Sequence, residues 1–384
     1  VRPRRILVVG AGFYGATCAY EFARAGYEVR VVERRPHVGG NCFTRWNAEA
    51  ECHEHVYGAH IFHTNSRRIW DWVTQFADFN HYVNRVKVHW RGRLYSFPIN
   101  LFTLYQLFGA TSPAEAEAEL ARRRVPCAAP TSMEEYALSM VGREIYETFI
   151  EGYTTKQWNT HPRQLPASIL KRIPIRLTHD DNYFNDRFQG IPIGGYTAIF
   201  DKLLAGIPVE LGVDFLADRD WWLARADYVV YTGPIDAWFG RELGVLGYRS
   251  LRFETELLDV PDFQGNAVVN YTDAAVPWTR ILEHKHFDLS LRGRKTLVTR
   301  EYPADWSPGQ TEYYPLVDDA NRALYRRYAE LAKGERGRVH FGGRLGAFQY
   351  YDMHQVIGAA LAFVGRFVAG ETDVSAVDPA EAGA

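Results

Sequence analysis

Arg5-Ile6-Leu7-Val8-Val9-Gly10-Ala11-Gly12-Phe13-Tyr14-Gly15 is the stretch on which the reading of this 384-residue chain turns. Ile6 to Val9 form an apolar run suited to a buried parallel strand. Gly10 permits the tight turn that follows, and Gly12, beside Phe13, lets backbone N–H groups approach a pyrophosphate. Gly15 lets a helix over about Gly15 to Arg24 pack closely on the strand. Unpaired N–H groups and the helix dipole at such an N-terminus favour negative charge. A second strand over Glu28 to Glu33 ends on a carboxylate at the roughly 20-residue offset expected for gripping ribose hydroxyls. Glu33 would repel a 2′-phosphate, so NADP is not expected.

Past Glu33, Arg34-Arg35-Pro36-His37-Val38-Gly39-Gly40-Asn41 sets a basic cluster before a Gly-Gly pair. Pro and Gly also serve in a plain turn. In this context the pair resembles the two-dinucleotide-binding flavoproteins, in which a second backbone loop closes over FAD. That resemblance makes FAD, rather than NAD, the expected cofactor, with Arg34, Gly40 and Asn41 beside it.

At 47% hydrophobic and 23% charged, the composition is that of a soluble globular protein large enough for two or three domains. A formal charge of −2 gives no general attraction for nucleic acid or acidic membranes, so any anion site must be built locally. The 23 Tyr and 10 Trp exceed what a core needs and suit binding surfaces. Cys18, Cys42, Cys52 and Cys127 lie in no metal-like spacing, and reduced thiols in the cytoplasm are the expected state. No run approaches the ~18 apolar residues of a membrane span.

The pattern predicts an α/β protein in which a Rossmann-like FAD-binding domain is discontinuous, over 1–80, 184–240 and 335–384. A helical domain is expected over 100–160, with a mobile-loop region to 183. An antiparallel β-sheet domain is expected over 81–99 and 241–334. Alternation in Val83 to Trp90 and Leu94 to Phe97, around Arg91-Gly92, reads as a hairpin, and Arg252 to Tyr302 alternate similarly. Ser112-Pro113 opens a capped helix, and Thr131 with Glu134 reads as a capping box for the next. Val339 to Arg344 read as a strand and glycine loop before an amphipathic helix over Met353 to Val368, and Thr372 to Ala384 as a frayed tail.

Phe149-Ile150-Glu151-Gly152-Tyr153-Thr154-Thr155-Lys156-Gln157-Trp158 offers flat faces of the kind that stack bases, although aromatics at helical spacing equally suit a core. Thr154 to Gln157 read as a polar loop between them. With Tyr57-Gly58-Ala59-His60-Ile61-Phe62-His63-Thr64, Trp278-Thr279-Arg280-Ile281-Leu282-Glu283-His284-Lys285, and Gly342-Gly343-Arg344-Leu345-Gly346 running to Tyr350-Tyr351-Asp352-Met353, this run resembles the bacterial-type UDP-galactopyranose mutases over nearly the whole chain.

The resemblance implies an isomerase that interconverts UDP-galactopyranose and UDP-galactofuranose. Reduced FAD would act through N5 at the anomeric carbon with no net redox change, and a reductant such as NAD(P)H would serve it. It places uracil on Tyr153, with Phe149, Thr154 and Trp158 around the substrate. Arg172 and Arg280 would be the catalytic cations on the diphosphate, where a planar fork can bind phosphate oxygens bidentately. Tyr183, Tyr313, Tyr314 and Tyr350 would add hydroxyls, with Tyr314 favoured over Tyr313. His60 and His63 would orient the flavin or sugar hydroxyls, the His60-Ile61 backbone more than the side chains, and Asn84 would touch the sugar. Gly343, Arg344, Tyr350, Asp352 and Met353 would face the flavin. Homodimerisation through the helical domain follows by analogy. Two departures stand out, Phe348 and Ile150, where related sequences often carry Tyr and an aromatic residue. No Asp, Glu or Cys at plausible spacing completes a metal set with the two histidines, so no metal is expected. The competing reading is an FAD-dependent amine-oxidase-type oxidoreductase.

Overall fold

The computed structural model describes residues 5–170, 175–288 and 293–371. Arg172 and the Thr372 to Ala384 tail lie outside them. Among the described residues, the first layer is a five-stranded sheet in the order Val339–Phe341, Tyr228–Tyr231, Arg5–Val9, Glu28–Glu33, Val209–Leu211. All four pairings are parallel. The chain leaves this sheet after its second strand and returns to it three times, as a discontinuous domain requires.

The first helix spans Phe13–Arg24, two residues earlier than expected, with Gly12 at its N-cap. A Cβ on Gly15 would lie 1.9 Å from the Gly10 carbonyl oxygen, so only glycine lets this helix settle on the strand. Its far side packs on the Met353–Ala369 helix, where fully buried Phe22 meets Phe363 and Phe367 edge to face, at centroid separations of 5.9 and 5.2 Å. Each such aromatic pair adds about 0.5–1.5 kcal/mol beyond area burial. Tyr14 and His340, from opposite ends of the chain, share a 2.8 Å hydrogen bond inside this core.

The second sheet has seven strands in the order Tyr314–Pro315, Tyr248–Leu258, Thr296–Asp305, Arg280–Glu283, Val268–Tyr271, Lys87–Trp90, Arg93–Ser96. It is not wholly antiparallel as expected, because Val268–Tyr271 pairs in parallel with Lys87–Trp90. The early hairpin thus docks as a finished unit on a strand made 180 residues later.

Against the Lys87–Ser96 hairpin of this sheet pack the helices Leu101–Phe108, Pro113–Arg123 and Met133–Ile145, then a π-helical stretch Tyr146–Glu151 and the helix Gly152–Trp158. The predicted capping box is displaced by one residue: Ser132 is the N-cap and Glu135 its partner, while Thr131 bonds the same Glu135 carboxylate. Gly142 breaks the Met133–Ile145 helix with φ 78°, and a Cβ there would lie 2.5 Å from the Arg123 carbonyl oxygen. Thr154 to Gln157, expected as loop, are helical. The helical segments around them already satisfy their backbone groups, and the polar side chains find partners elsewhere. No helix among the described residues is long and apolar enough to cross a membrane.

The strand that carries Arg280 is pinned at its other end. Glu283, wholly buried, accepts bonds from the N–H groups of Phe263 and Gln264 and from the Thr296 hydroxyl, and His286 Nε2 lies 3.4 Å away. Burial alone would raise the Glu283 carboxyl, but His286 and these donors hold it down to about 2. The Glu283 contact in turn raises His286. The Glu283 contribution is present above its ordinary 4.5 and is lost as pH falls toward 2. That of His286 is present below 6.5 and is lost as pH rises through its folded value. Glu283→Gln should therefore lower the melting temperature most between pH 4.5 and 6.5, with the gap closing as pH falls toward 2 and narrowing by the His286 part as pH rises, in thermal melts.

Candidate active site

A groove of ≈ 460 Å³ runs along the carboxyl ends of the parallel strands to the start of the Met353–Ala369 helix. Gly10, Gly12, Phe13, Gly15, Glu33 and Arg34 line it, as do Gly40, Asn41, His60, Gly343, Arg344 and Met353. Ile61, Tyr350 and Asp352, expected beside them, do not. Ile61 packs instead with Tyr82 and Phe287, and Asp352 is the N-cap of the helix that Met353 begins.

Several features fit a dinucleotide. The Phe13–Arg24 helix has no side-chain cap and no acid in its first turn, so its leading N–H groups are open to an anion. A Cβ on Gly40 would lie 3.2 Å from the Gly12 Cα, which means a second loop crosses the first at backbone contact. Glu33 is held in place by the N–H groups of Ala11 and Arg35, each at 2.8 Å. Arg35 lies over the Tyr57 ring at 4.2 Å and bonds Asn41 Oδ1 at 2.9 Å, yet its Nη1 is buried without a protein partner. Such an orphaned guanidinium nitrogen is what a ligand oxygen or a bound water would satisfy. Arg34 pairs at 3.5 Å with buried Glu312, which lines the same groove.

At the second sheet, Arg280 Nη2 donates to the Tyr153 hydroxyl at 2.9 Å, and its Nε lies 3.3 Å from Glu301 Oε1. Arg280 and Glu301 are direct cross-strand partners, so the pairing register itself aims the carboxylate at the guanidinium. Burial disfavours the Arg280 charge, but Glu301 and the phenols of Tyr153, Tyr314 and Tyr183 outweigh it. Burial pushes the Tyr314 phenol up, and the Tyr183 and Tyr350 phenols are raised as well although their side chains are partly open to solvent, so all three are protonated and able to donate. Tyr314 stacks on Tyr350 at 5.2 Å, with Arg344 over both rings at 5.4 and 5.9 Å. Asn84 is buried, and its main-chain carbonyl accepts from the Tyr183 N–H at 2.7 Å.

Other expected contacts divide. Phe149 is a core residue, 5% exposed and packed near Tyr95 and Phe97. Thr154 is buried, and Trp158 is partly buried with the Arg249 guanidinium 5.5 Å above it. The π-helical stretch shifts the helical phase between Phe149 and Tyr153, so one ring enters the core and the other meets Arg280. Tyr313 does not join Tyr314. Adjacent residues on an extended chain point opposite ways, and Tyr313 packs toward Tyr57 and Phe253. Phe348 is a core residue between Tyr248 and Tyr325, and Ile150 is likewise buried.

His60 Nδ1 lies 2.9 Å from the Gly58 carbonyl oxygen, and burial, reinforced by Arg344, lowers the ring to about 4, so it is neutral. His63 Nδ1 lies 2.5 Å from Asp186, and its ring stacks on Phe184 at 3.7 Å. Sequence spacing offers no acid to complete a metal set with His60 and His63; in space, acids do approach His63. Asp352 and His354 bring ligand-type atoms within 4.8 Å of one another and of His63. Asp186 occupies one His63 nitrogen, and the cluster lies at the helix start that faces the groove. Burial pushes the Cys42 and Cys52 thiols up to about 12, leaving no thiolate near neutral pH to attack a sugar.

Glu301, Asp186, Glu312 and Arg35 carry much of this geometry and were not singled out from sequence. The strand pairing of Arg280 with Glu301 was the one signal that could have found any of them. If the second glycine loop closes over a dinucleotide, Gly40→Val should cut the dinucleotide carried by the purified protein about 10-fold, an overpacking cost of about 1–3 kcal/mol. The check is mass spectrometry of the denatured supernatant, and full loading would separate that loop from cofactor binding.

Comparison with known proteins agrees with this geometry. The family model described as UDP-galactopyranose mutase matches residues 148–350, and that of an NAD(P)-binding Rossmann-like domain matches residues 8–76. A Klebsiella pneumoniae protein named "Probable UDP-galactopyranose mutase" is 41% identical over 371 residues, covering 95% of each chain. A dTDP-fucopyranose mutase of Escherichia coli is 37% identical over 364 residues, covering 93% of this chain and 96% of that one. A crystal structure of reduced UDP-galactopyranose mutase superposes with a TM-score of 0.74 at 14% identity, over 100% of this chain and 97% of that one, which speaks for the fold. The chain belongs to the UDP-galactopyranose mutase family.

Proposed function

We propose that the protein interconverts UDP-galactopyranose and UDP-galactofuranose with a bound FAD that is active when reduced. The observation that carries this reading is Arg280, fixed between Glu301 and the Tyr153 hydroxyl beside a row of phenols. A cation with a ring that can stack a base suits a nucleoside diphosphate and has no evident use on an amine. Reduced FAD supplies an electron-rich nitrogen, N5, as nucleophile at the anomeric carbon. Cys42, Cys52 and His60 do not compete for that role, since the two thiols stay protonated and His60 is held by Gly58.

The chain's own residues bind, orient and stabilise. Tyr153 carries the uracil. Arg280 takes the charge that gathers on the diphosphate as it leaves the sugar, and Tyr183, Tyr314 and Tyr350 donate to the same oxygens. Because Glu301 already orients the guanidinium, little reorganisation is needed as the charge develops. Asn84 and the His63–Asp186 pair hold sugar hydroxyls, while the start of the Met353–Ala369 helix favours negative charge at the cofactor's polar end.

A second reading keeps the chemistry and changes the substrate. The Escherichia coli relative named dTDP-fucopyranose mutase supports ring isomerisation of a dTDP-linked 6-deoxy sugar. Incubation with UDP-galactofuranose and, separately, dTDP-fucofuranose, with and without dithionite, tests both by chromatography. UDP-galactopyranose should form only with reductant. Faster conversion of the dTDP-sugar would favour the second reading, turnover without reductant would count against reduced flavin as the nucleophile, and no conversion of either sugar would reopen the oxidase class. Arg280→Ala should reduce turnover at least about 100-fold while the protein stays yellow, as expected for a lost transition-state cation. Retained activity would remove Arg280 from the diphosphate.

A further inference from the structure

Lys156 lies on the Gly152–Trp158 helix, one turn beyond Tyr153. Its ammonium pairs with no carboxylate among the described residues. It donates instead to four main-chain carbonyl oxygens, those of Tyr271 at 2.6 Å, Asp273 at 3.0 Å, Val276 at 3.0 Å and Trp278 at 2.9 Å. An ammonium has three N–H bonds, so one is shared between two acceptors. All four oxygens belong to the turn that joins Val268–Tyr271 to Arg280–Glu283, and the last lies two residues before Arg280.

The helix is pressed hard against this turn. A Cβ on Gly152 would lie 2.1 Å from the Thr272 carbonyl oxygen, and the Thr272 hydroxyl donates to the Thr148 carbonyl at 2.5 Å. Burial lowers Lys156 to about 8, with Asp273 acting the other way. Keeping a charge in that position is costly, and the ring of carbonyl dipoles offsets the cost. Tyr153 and Arg280 meet at 2.9 Å on the site side of the same helix–turn junction.

We propose that Lys156 is a positioning residue for nucleoside diphosphate capture: by gathering the four carbonyls of the Tyr271–Trp278 turn, its ammonium holds the Tyr153 ring and the Arg280 guanidinium in one fixed relation. This rests on the reading of Tyr153 and Arg280 as base and phosphate contacts. The helix that carries the base platform and the turn that delivers the cation then act as one body. Without the ammonium, four carbonyls lose their shared donor, the turn relaxes, and the two contacts no longer reinforce each other.

The test is UDP binding by titration calorimetry on flavin-loaded Lys156→Ala, Lys156→Arg, Tyr153→Ala and Arg280→Ala, with KM and kcat measured alongside. Lys156→Ala should keep its flavin and bind UDP about 10-fold more weakly, the scale of lost charge-assisted hydrogen bonds. KM should rise by the same factor, and methylammonium chloride should restore UDP affinity where sodium chloride at equal ionic strength does not. Lys156→Arg, which keeps a cation and folds if bulk at this position is tolerated, should lose affinity by no more than about 3-fold. Wild-type affinity in Lys156→Ala, with Tyr153→Ala and Arg280→Ala both weakened, would overturn the clamp and leave the site reading intact. Failure of methylammonium to rescue, with Lys156→Arg as weak as Lys156→Ala, would assign the loss to packing and also overturn it. Unchanged UDP affinity in Tyr153→Ala and Arg280→Ala would overturn the underlying reading and the clamp with it.

Discussion

Arg280 stands between a buried carboxylate and a phenol, and the architecture around the site can be traced from the need to keep it there. A chain with a net charge of −2 has no field with which to gather a diphosphate, so the cation has to be held in place locally. Glu301 serves because it is the cross-strand neighbour, and Glu283 pins the far end of the same short strand. A buried pair of this kind adds little to net stability by itself, because both charges are desolvated. Its contribution is orientation: a guanidinium held between Glu301 and Tyr153 is, on the proposed function, already arranged for the charge that forms on the leaving group.

The two halves of the site obey different constraints. The dinucleotide groove is formed by backbone, with Gly12 and Gly40 in contact and helix N–H groups left open, so side chains at its centre would only obstruct it. The end proposed to take the sugar nucleotide is formed by side chains drawn from distant segments, Tyr153 from a helix, Arg280 from a sheet and Tyr350 from the loop before the last helix. The first half therefore tolerates little substitution of any kind, and the second depends on how well three supports are held against one another.

That difference also explains what could be read from the chain. The fingerprint strand, helix and Glu33 declare themselves because their signals lie within one local stretch, as does the Lys87–Ser96 hairpin. The capping box displaced by one residue, and the helical rather than looped Thr154 to Gln157, show local polarity deciding less than the flanking turns. Tyr314 is favoured over Tyr313, but the physical ground for that choice, which side of the strand faces Arg280, lies in the register and not in the local sequence. The approach of Asp352 and His354 to His63 was hidden by nearly 300 residues of intervening chain. Glu301 lay within 21 positions of Arg280 and was still missed, because strand register is not a property of either residue alone.

The pairing of Tyr14 with His340 has a consequence for how the molecule is made. Synthesis delivers the fingerprint strand well before the edge strand Val339–Phe341 and the covering helix Met353–Ala369. Contacts of such sequence separation form slowly, since the whole intervening chain must be brought to order before they are rewarded. A ribosome-bound chain therefore displays a nucleotide-binding turn with no completed groove behind it, while its helical insert can already be compact. The apolar face of the first helix needs shielding until the covering helix is in place.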